Sequence, residues 1–279
     1  MEQGENLRKL QMVELEMLKE FVRICEKHKL TYYLSAGTFL GAVRHQGFIP
    51  WDDDADVRMP RPDYEKFVRF CRKELREPYL VKYFRYDHSV HRYYCRLNDP
   101  RVKLRRTNSK YGEISNVWLD VFPLDGMPKN RLLNKLRQYH LLWRRMWLQI
   151  SVFDEIVTLD KKRSKLENLI IWFVRHTPIQ NFVSYDKMWY KLDRAMKACP
   201  VDKAAYYVNF MGMYKFRDMI PKEVYGKGAP YTFEGETFNG PEDYDTFLKT
   251  LYGDYMKLPP EEERNKHFTE IESMTIEGI

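Results

Sequence analysis

The chain has 279 residues, 44% of them hydrophobic and 15% aromatic, with a formal net charge of +7. That is enough apolar material for one large domain or two small ones. Cys25, Cys71, Cys95 and Cys199 form no CxxC pair and no dense set, which excludes a disulfide framework and fits a reducing compartment.

The elements are predicted in chain order. Residues 1–20 are charged throughout, so no secretory leader is expected there. Leu7, Leu10, Met17, Phe21, Ile24 and His28 recur at three- and four-residue spacing, with one seven-residue gap, and predict an N-terminal helix. Leu30 to Ser35 reads as a strand, Gly37-Thr38 breaks it, and Phe39 to Arg44 reads as a short helix. A turn at Gly47 and Pro50 leads to a strand over Asp54 to Met59, ended by Pro60 and Pro62, then a helix over Asp63 to Leu75. Strands are expected at Tyr79 to Tyr86, Tyr93 to Leu97 and Ile114 to Phe122. Helices free of Gly and Pro follow at Arg131 to Ile150, Lys162 to Arg175 and Tyr185 to Ala198. Residues 225–245 read as loop with short strands, and Phe247 to Leu251 as a short helix ending at Gly253. The most apolar run, Leu169 to Val174, is too short to span a bilayer.

Charge is uneven. Lys129 to Arg175 holds 11 Lys/Arg against 4 Asp/Glu, and Arg96 to Lys110 holds six basic residues against Asp99 alone. Such stretches are either a solvated surface or a face for phosphates, nucleic acid or an acidic membrane. Three sections are expected: a catalytic core at 1–128, a basic helical section at 129–200, and a segment at 201–279 packing back on the core.

The most informative feature is Asp52-Asp53-Asp54-Ala55-Asp56, four carboxylates in five residues. In an extended segment Asp52, Asp54 and Asp56 share one face, with Asp53 turned away and Ala55 and Val57 directed to a core. Three acidic groups on one face make a hard-cation site; the bland alternative is a structural calcium loop. Ser35-Ala36-Gly37-Thr38, just before it, reads as a strand-to-helix junction whose N–H groups suit a phosphate. Asp120, set between Leu119 and Val121, needs a cation or donors if buried. Carboxylates on two neighbouring strands beside a phosphate cradle suit metal-assisted phosphoryl transfer.

These residues resemble the LicD family of phosphocholine transferases, to which fukutin-related proteins are distantly similar. The resemblance runs through Tyr33 to Tyr64, which contains Gly47-Phe48-Ile49-Pro50-Trp51-Asp52-Asp53-Asp54. It returns at Leu119-Asp120-Val121-Phe122-Pro123-Leu124-Asp125-Gly126, at Phe233-Glu234-Gly235 and at Tyr252-Gly253-Asp254-Tyr255, followed by His267. It does not extend to the 129–201 section. It implies an α/β (α+β) fold with a nucleotidyltransferase-like mixed sheet flanked by helices, to which the basic helical section is added. The implied turn is Gly37-Thr38, the paired aspartates are Asp54 and Asp56, and the third carboxylate is Asp120, with Asp52 extending the face. Ala36 departs from the pattern, which often has Gly there.

The reaction so implied is metal-dependent (Mg²⁺, or Mn²⁺) transfer of phosphocholine from CDP-choline to a hydroxyl of a cell-surface or lipid-linked glycan precursor, such as lipopolysaccharide or teichoic acid, with release of CMP. Relatives move other phospho-alditols, ribitol or glycerol phosphate, from CDP donors. Asp54, Asp56 and Asp120 are the expected catalytic residues, and with Asp52 the metal ligands. Gly37 and Thr38 are expected at a phosphate. Arg44 and His45 either reach donor phosphates or cap a helix. Trp51 stacks on a base, shields the site or packs. Arg58 and Arg61 either neutralise phosphate or pair with nearby aspartates. His267 is expected to close over the site, Asp125 to be a turn residue, and Pro259 and Pro260 to set a turn. The basic section is expected to bring a cytoplasmic enzyme to the inner membrane face. Two other readings stay open: nucleotidyl transfer releasing pyrophosphate, and a non-catalytic polyanion binder. The aspartates oppose the latter, so no nucleic acid partner is expected.

Overall fold

A computed structural model describes residues 2–106, 114–153, 165–264 and 269–274. Helix α1 (Glu2–Lys27) is followed by β1 (Tyr33–Leu34), α2 (Ala36–His45), β2 (Ala55–Pro60) and α3 (Arg61–Glu74). Then come β3 (Leu80–Lys82), β4 (Cys95–Arg106), β5 (Ile114–Met127), α4 (Arg131–Ile150), α5 (Lys165–His176) and α6 (Tyr185–Lys197). The chain continues through β6 (Tyr206–Val208), β7 (Met219–Pro221), β8 (Ala229–Phe233), β9 (Glu236–Gly240), α7 (Tyr244–Tyr252) and β10 (Thr269–Met274). This is the mixed α/β class expected.

The chain divides into two units. The first comprises 1–125 and 206–279, the second 126–205. The sheet of the first unit runs β1-β2-β5-β4-β10, with β3 on β4 and with β6 joining β5 to β7. β2 and β5 are parallel; β1-β2, β4-β5, β3-β4 and β10-β4 are antiparallel. β8 and β9 form a separate hairpin. Two predicted strands shrink: the ladder takes only Tyr33–Leu34 from the first and only Leu80–Lys82 from Tyr79 to Tyr86. Apolar alternation marks residues that fit a sheet, and hydrogen-bond partners decide how many enter it.

β2 alternates as a half-core strand. Ala55, Val57 and Met59 are buried on one face, and Asp56 and Arg58 lie on the other. Pro60 ends the strand, and Pro62 sits in the first turn of α3, where a missing N–H costs nothing. On α1, Leu10, Met17, Phe21 and Ile24 are buried as the spacing predicts. Phe21 meets Tyr32 edge-on at 5.3 Å between ring centroids and Phe67 at 4.8 Å. Each such ring contributes about 1.5–3 kcal/mol on burial.

The second unit is helical. Asn130 caps α4, its side chain accepting from the N–H groups of Leu132 and Leu133 at 3.0 and 3.1 Å. α4 packs along α6, whose Trp189, Leu192 and Met196 are fully buried. Ile150, Phe153 and Val174 form a smaller cluster between α4 and α5. No described helix is long and apolar enough to cross a membrane.

Candidate active site

Strand register sets the centre of the site. Asp56 lies beside Asp120 on parallel β2 and β5, and Asp120 lies opposite Arg96 on antiparallel β4. Residues in register point to the same face, so the row Arg96, Asp120, Asp56 crosses three strands. Arg96 grips Asp120 with two hydrogen bonds, Nε to Oδ1 and a terminal nitrogen to Oδ2, the latter at 3.0 Å. The guanidinium also lies 4.2 Å from the ring centre of Trp118. Burial raises the Asp56 carboxyl well above the usual range, and the charges of Asp54 and Asp120 add to the effect while Arg58 opposes it.

The acidic run is not extended throughout. The N–H of Asp52 donates to the carbonyl of Ile49 at 2.9 Å, closing a turn, and the ladder starts only at Ala55. Asp52 closes the turn, and Asp53 and Asp54 lead into β2, so Asp56 is the one aspartate of the run on the ladder. Asp52 is buried, whereas Asp53, Asp54 and Asp56 are half-buried. Gln11 of α1 holds this turn, donating to the carbonyls of Ile49 (3.2 Å) and Asp52 (3.0 Å).

One helical turn beyond Gln11 is Glu14, which the sequence reading did not single out. It is 1% exposed, and among the described residues its Oε2 has no hydrogen-bond partner. Burial pushes its carboxyl far up, and Asp54, Asp53, Asp52 and Asp56 push it further. The signal was present: Glu14 fills the seven-residue gap in the apolar stripe, four after Leu10 and three before Met17.

The junction before the run is organised around the same aspartates. Ala36 has φ of +45°, a left-handed conformation that suits glycine. Gly37 lies so close to Asp52 that a β-carbon would stand 2.4 Å from Oδ2. Thr38 is buried and its Oγ1 accepts from the N–H of Asp56 at 2.8 Å, so its hydroxyl oxygen fastens α2 to β2. Arg44 donates through Nε to His45 Nε2 (2.9 Å) and through a terminal nitrogen to the carbonyl of Tyr255 (2.8 Å). Burial and then Arg44 hold the His45 imidazole below its ordinary value. Trp51 packs edge-on to His45 at 6.3 Å, and Arg264 lies 5.1 Å from its ring centre.

Arg58 and Arg61 both pair with buried aspartates, the second of the two alternatives open for them. Arg58 is buried against Asp218 (2.6 Å), the Ser35 hydroxyl and the Tyr225 hydroxyl (3.4 Å). Arg61 is buried against Asp125 (Nε to Oδ1, 2.7 Å) and the Tyr93 hydroxyl (3.0 Å). Asp125 is accordingly a buried strand residue of β5 in an ion pair, not a turn residue. His267 lies outside the described residues.

The C-terminal motifs converge on the same segment. Glu234, at the tip of the β8–β9 hairpin, accepts from the N–H of Phe48 at 2.9 Å and pairs with Arg8 of α1. A β-carbon on Gly47 would meet Glu234 Oε1 at 2.4 Å. The Tyr252-to-Tyr255 motif supplies the carbonyl that holds Arg44.

The donor set suits a hard divalent cation: all oxygen, densely anionic, with Asp56 and Glu14 both pushed upward and one Glu14 oxygen orphaned. Among the described residues, no three His, Cys, Asp or Glu side chains are gathered as a metal site. Asp120 pairs with Arg96.

Residues 29–141 match the model of the LicD/FKTN/FKRP nucleotidyltransferase domain. The chain is 32% identical over 269 residues to the lipopolysaccharide cholinephosphotransferase LicD of Haemophilus influenzae, spanning 94% of this chain and 95% of that protein. It is also 34% identical over 68 residues to an uncharacterized protein of Rickettsia typhi, 24% of this chain and 22% of that one.

Proposed function

The chain belongs to the LicD family, and from that membership we propose that it moves phosphocholine from CDP-choline to a hydroxyl of a lipopolysaccharide or related lipid-linked glycan, releasing CMP. The observation that carries this reading is the likeness, over 94% of the chain, to a lipopolysaccharide cholinephosphotransferase. The reaction runs on the cytoplasmic side, with the acceptor presented at the inner membrane face.

Asp54, Asp56 and Asp120, with Asp52 and Glu14, would hold Mg²⁺ or Mn²⁺. When bound, such an ion would supply positive charge to the donor's phosphates. The remaining work falls to side chains and backbone. The first turn of α2 offers the N–H groups of Gly37 and Thr38, which have no partner within a helix, to a donor phosphate. Asp56, in register beside Asp120 at the centre of the row, accepts the proton of the acceptor hydroxyl. Asp120 is kept as a ligand, its carboxylate oriented by the two hydrogen bonds from Arg96. The acceptor oxygen then bonds to the choline-bearing phosphorus, and the bond from that phosphorus to the CMP oxygen breaks.

The test is incubation of the full chain with CDP-choline, Mg²⁺ and choline-free lipopolysaccharide, reading CMP and glycan-bound choline. Both are expected. Faster CMP release from CDP-ribitol or CDP-glycerol would reassign the donor. Pyrophosphate from CTP would replace the reading with nucleotidyl transfer, and no product from any CDP-alcohol would end it.

A further inference from the structure

Helix α4 has two apolar faces. One, carrying Leu141 and Leu148, is buried. The other, Leu132, Leu136, Tyr139 and Trp143, is spaced four, three and four residues apart and forms a single stripe. That stripe is open to solvent, with exposures of 68%, 57%, 70% and 54%. The second unit as a whole concentrates such residues. Of the 16 exposed large apolar side chains among the described residues, 11 fall within 126–205.

Toward its C-terminal end the stripe runs into an open groove of about 400 Å³. Met146, Trp147 and Ile150 of α4 line it, with Leu169, Trp172 and Phe173 of α5. Flanking the apolar residues are Arg131, Lys135 and Arg144, and α4 contains no Asp or Glu, while Arg137 donates to the carbonyl of Met196 at 2.7 Å and Arg145 is mostly buried. A wide apolar stripe, aromatic rings with polar edges and an all-cationic flank are the features of a helix lying in the plane of a bilayer. Leucines enter the acyl boundary, Trp and Tyr sit at headgroup level, and Arg and Lys meet lipid phosphates. A second copy of the chain fits poorly, because two α4 helices face to face would oppose cations with cations and no acid.

We propose that the outer face of α4, with the α5 side of the groove, docks on a bilayer rich in anionic phospholipid. This deepens the part of the functional reading that puts the acceptor at a membrane face, and it stands apart from the choice of donor. The surface lies on the membrane and does not cross it, as no described helix is apolar enough to span.

The experiment is co-sedimentation of the full chain with phosphatidylcholine vesicles, with and without phosphatidylglycerol, in rising salt. The intact chain binds the anionic vesicles, binds neutral ones far less, and is released by salt. L136Q/W143Q lowers binding by more than about tenfold, and so does R131E/K135E. All four side chains are exposed, so both variants keep the wild-type melting temperature. Equal binding by wild type and both variants, or no wild-type binding to anionic vesicles, overturns the proposal. So does a wild-type dimer that L136Q/W143Q converts to monomer, which would make the face a contact between copies. Vesicle binding without CMP release spares the lipid face and sinks the donor assignment; CMP release without vesicle binding does the reverse.

Discussion

Removing the charge of Glu14 should stabilise the metal-free protein. Its carboxylate is 1% exposed, one oxygen has no partner, and four aspartates press on it. An unsatisfied buried polar group costs about 1–3 kcal/mol, and a charged one more. The sign follows from linkage. A carboxyl whose native pKa is raised binds its proton more tightly folded than unfolded, so stability falls as pH climbs from about 4.5 through the native value and then levels off. E14Q lacks that titration. Near pH 8 it should gain about 1–3 kcal/mol, a rise of about 2–6 °C in melting temperature for a chain of this size. Below pH 4.5 the two proteins should melt together. Circular-dichroism melts across pH 4–8 in the presence of a chelator make the comparison. With Mg²⁺ added the order narrows or reverses, because the wild type gains from the ion and E14Q gains less. A gain independent of pH, or a loss at every pH, would refute the account of Glu14 as an uncompensated buried charge.

Three further outcomes follow from the same geometry. A36G should stabilise the fold by about 1 kcal/mol in urea titrations, since an L-residue pays roughly that to hold positive φ; destabilisation would mean that the strain is absent. D54N should abolish choline transfer with its melting temperature kept, whereas D120A should lose transfer and also about 3–5 kcal/mol, because it strands buried Arg96. Equal stabilities would remove the distinction drawn between them. R58M should cost about 3–5 kcal/mol by stranding Asp218, while CDP-choline titrations of the folded fraction stay unchanged; a large drop in donor affinity would restore Arg58 to the substrate site.

What the sequence made legible was local. The acidic run, the glycine before it and Asp120 could be read because each is written in adjacent residues, and the alternation of Ala55, Val57 and Met59 set the core face of β2. The length of β1 was not legible, because only two residues find ladder partners. Neither were the fates of Arg58 and Arg61. Arg58 meets an aspartate 160 residues away, and nothing near Arg58 announces Asp218. Arg96 looked like one more cation of a basic stretch until register set it opposite Asp120. Glu14 was within reach, as a missing member of a periodic stripe, but a gap reads as tolerance until burial shows what fills it.

The clamp made by Glu234 has a bearing on biosynthesis. Its partners Arg8 and Phe48 lie 226 and 186 residues upstream. As the chain leaves the ribosome, Gln11 and the aspartates emerge early, whereas the second anchor of the loop that presents the aspartates arrives only when most of the polypeptide has been made. A fragment ending before this hairpin therefore lacks the two contacts that Glu234 makes with Arg8 and Phe48.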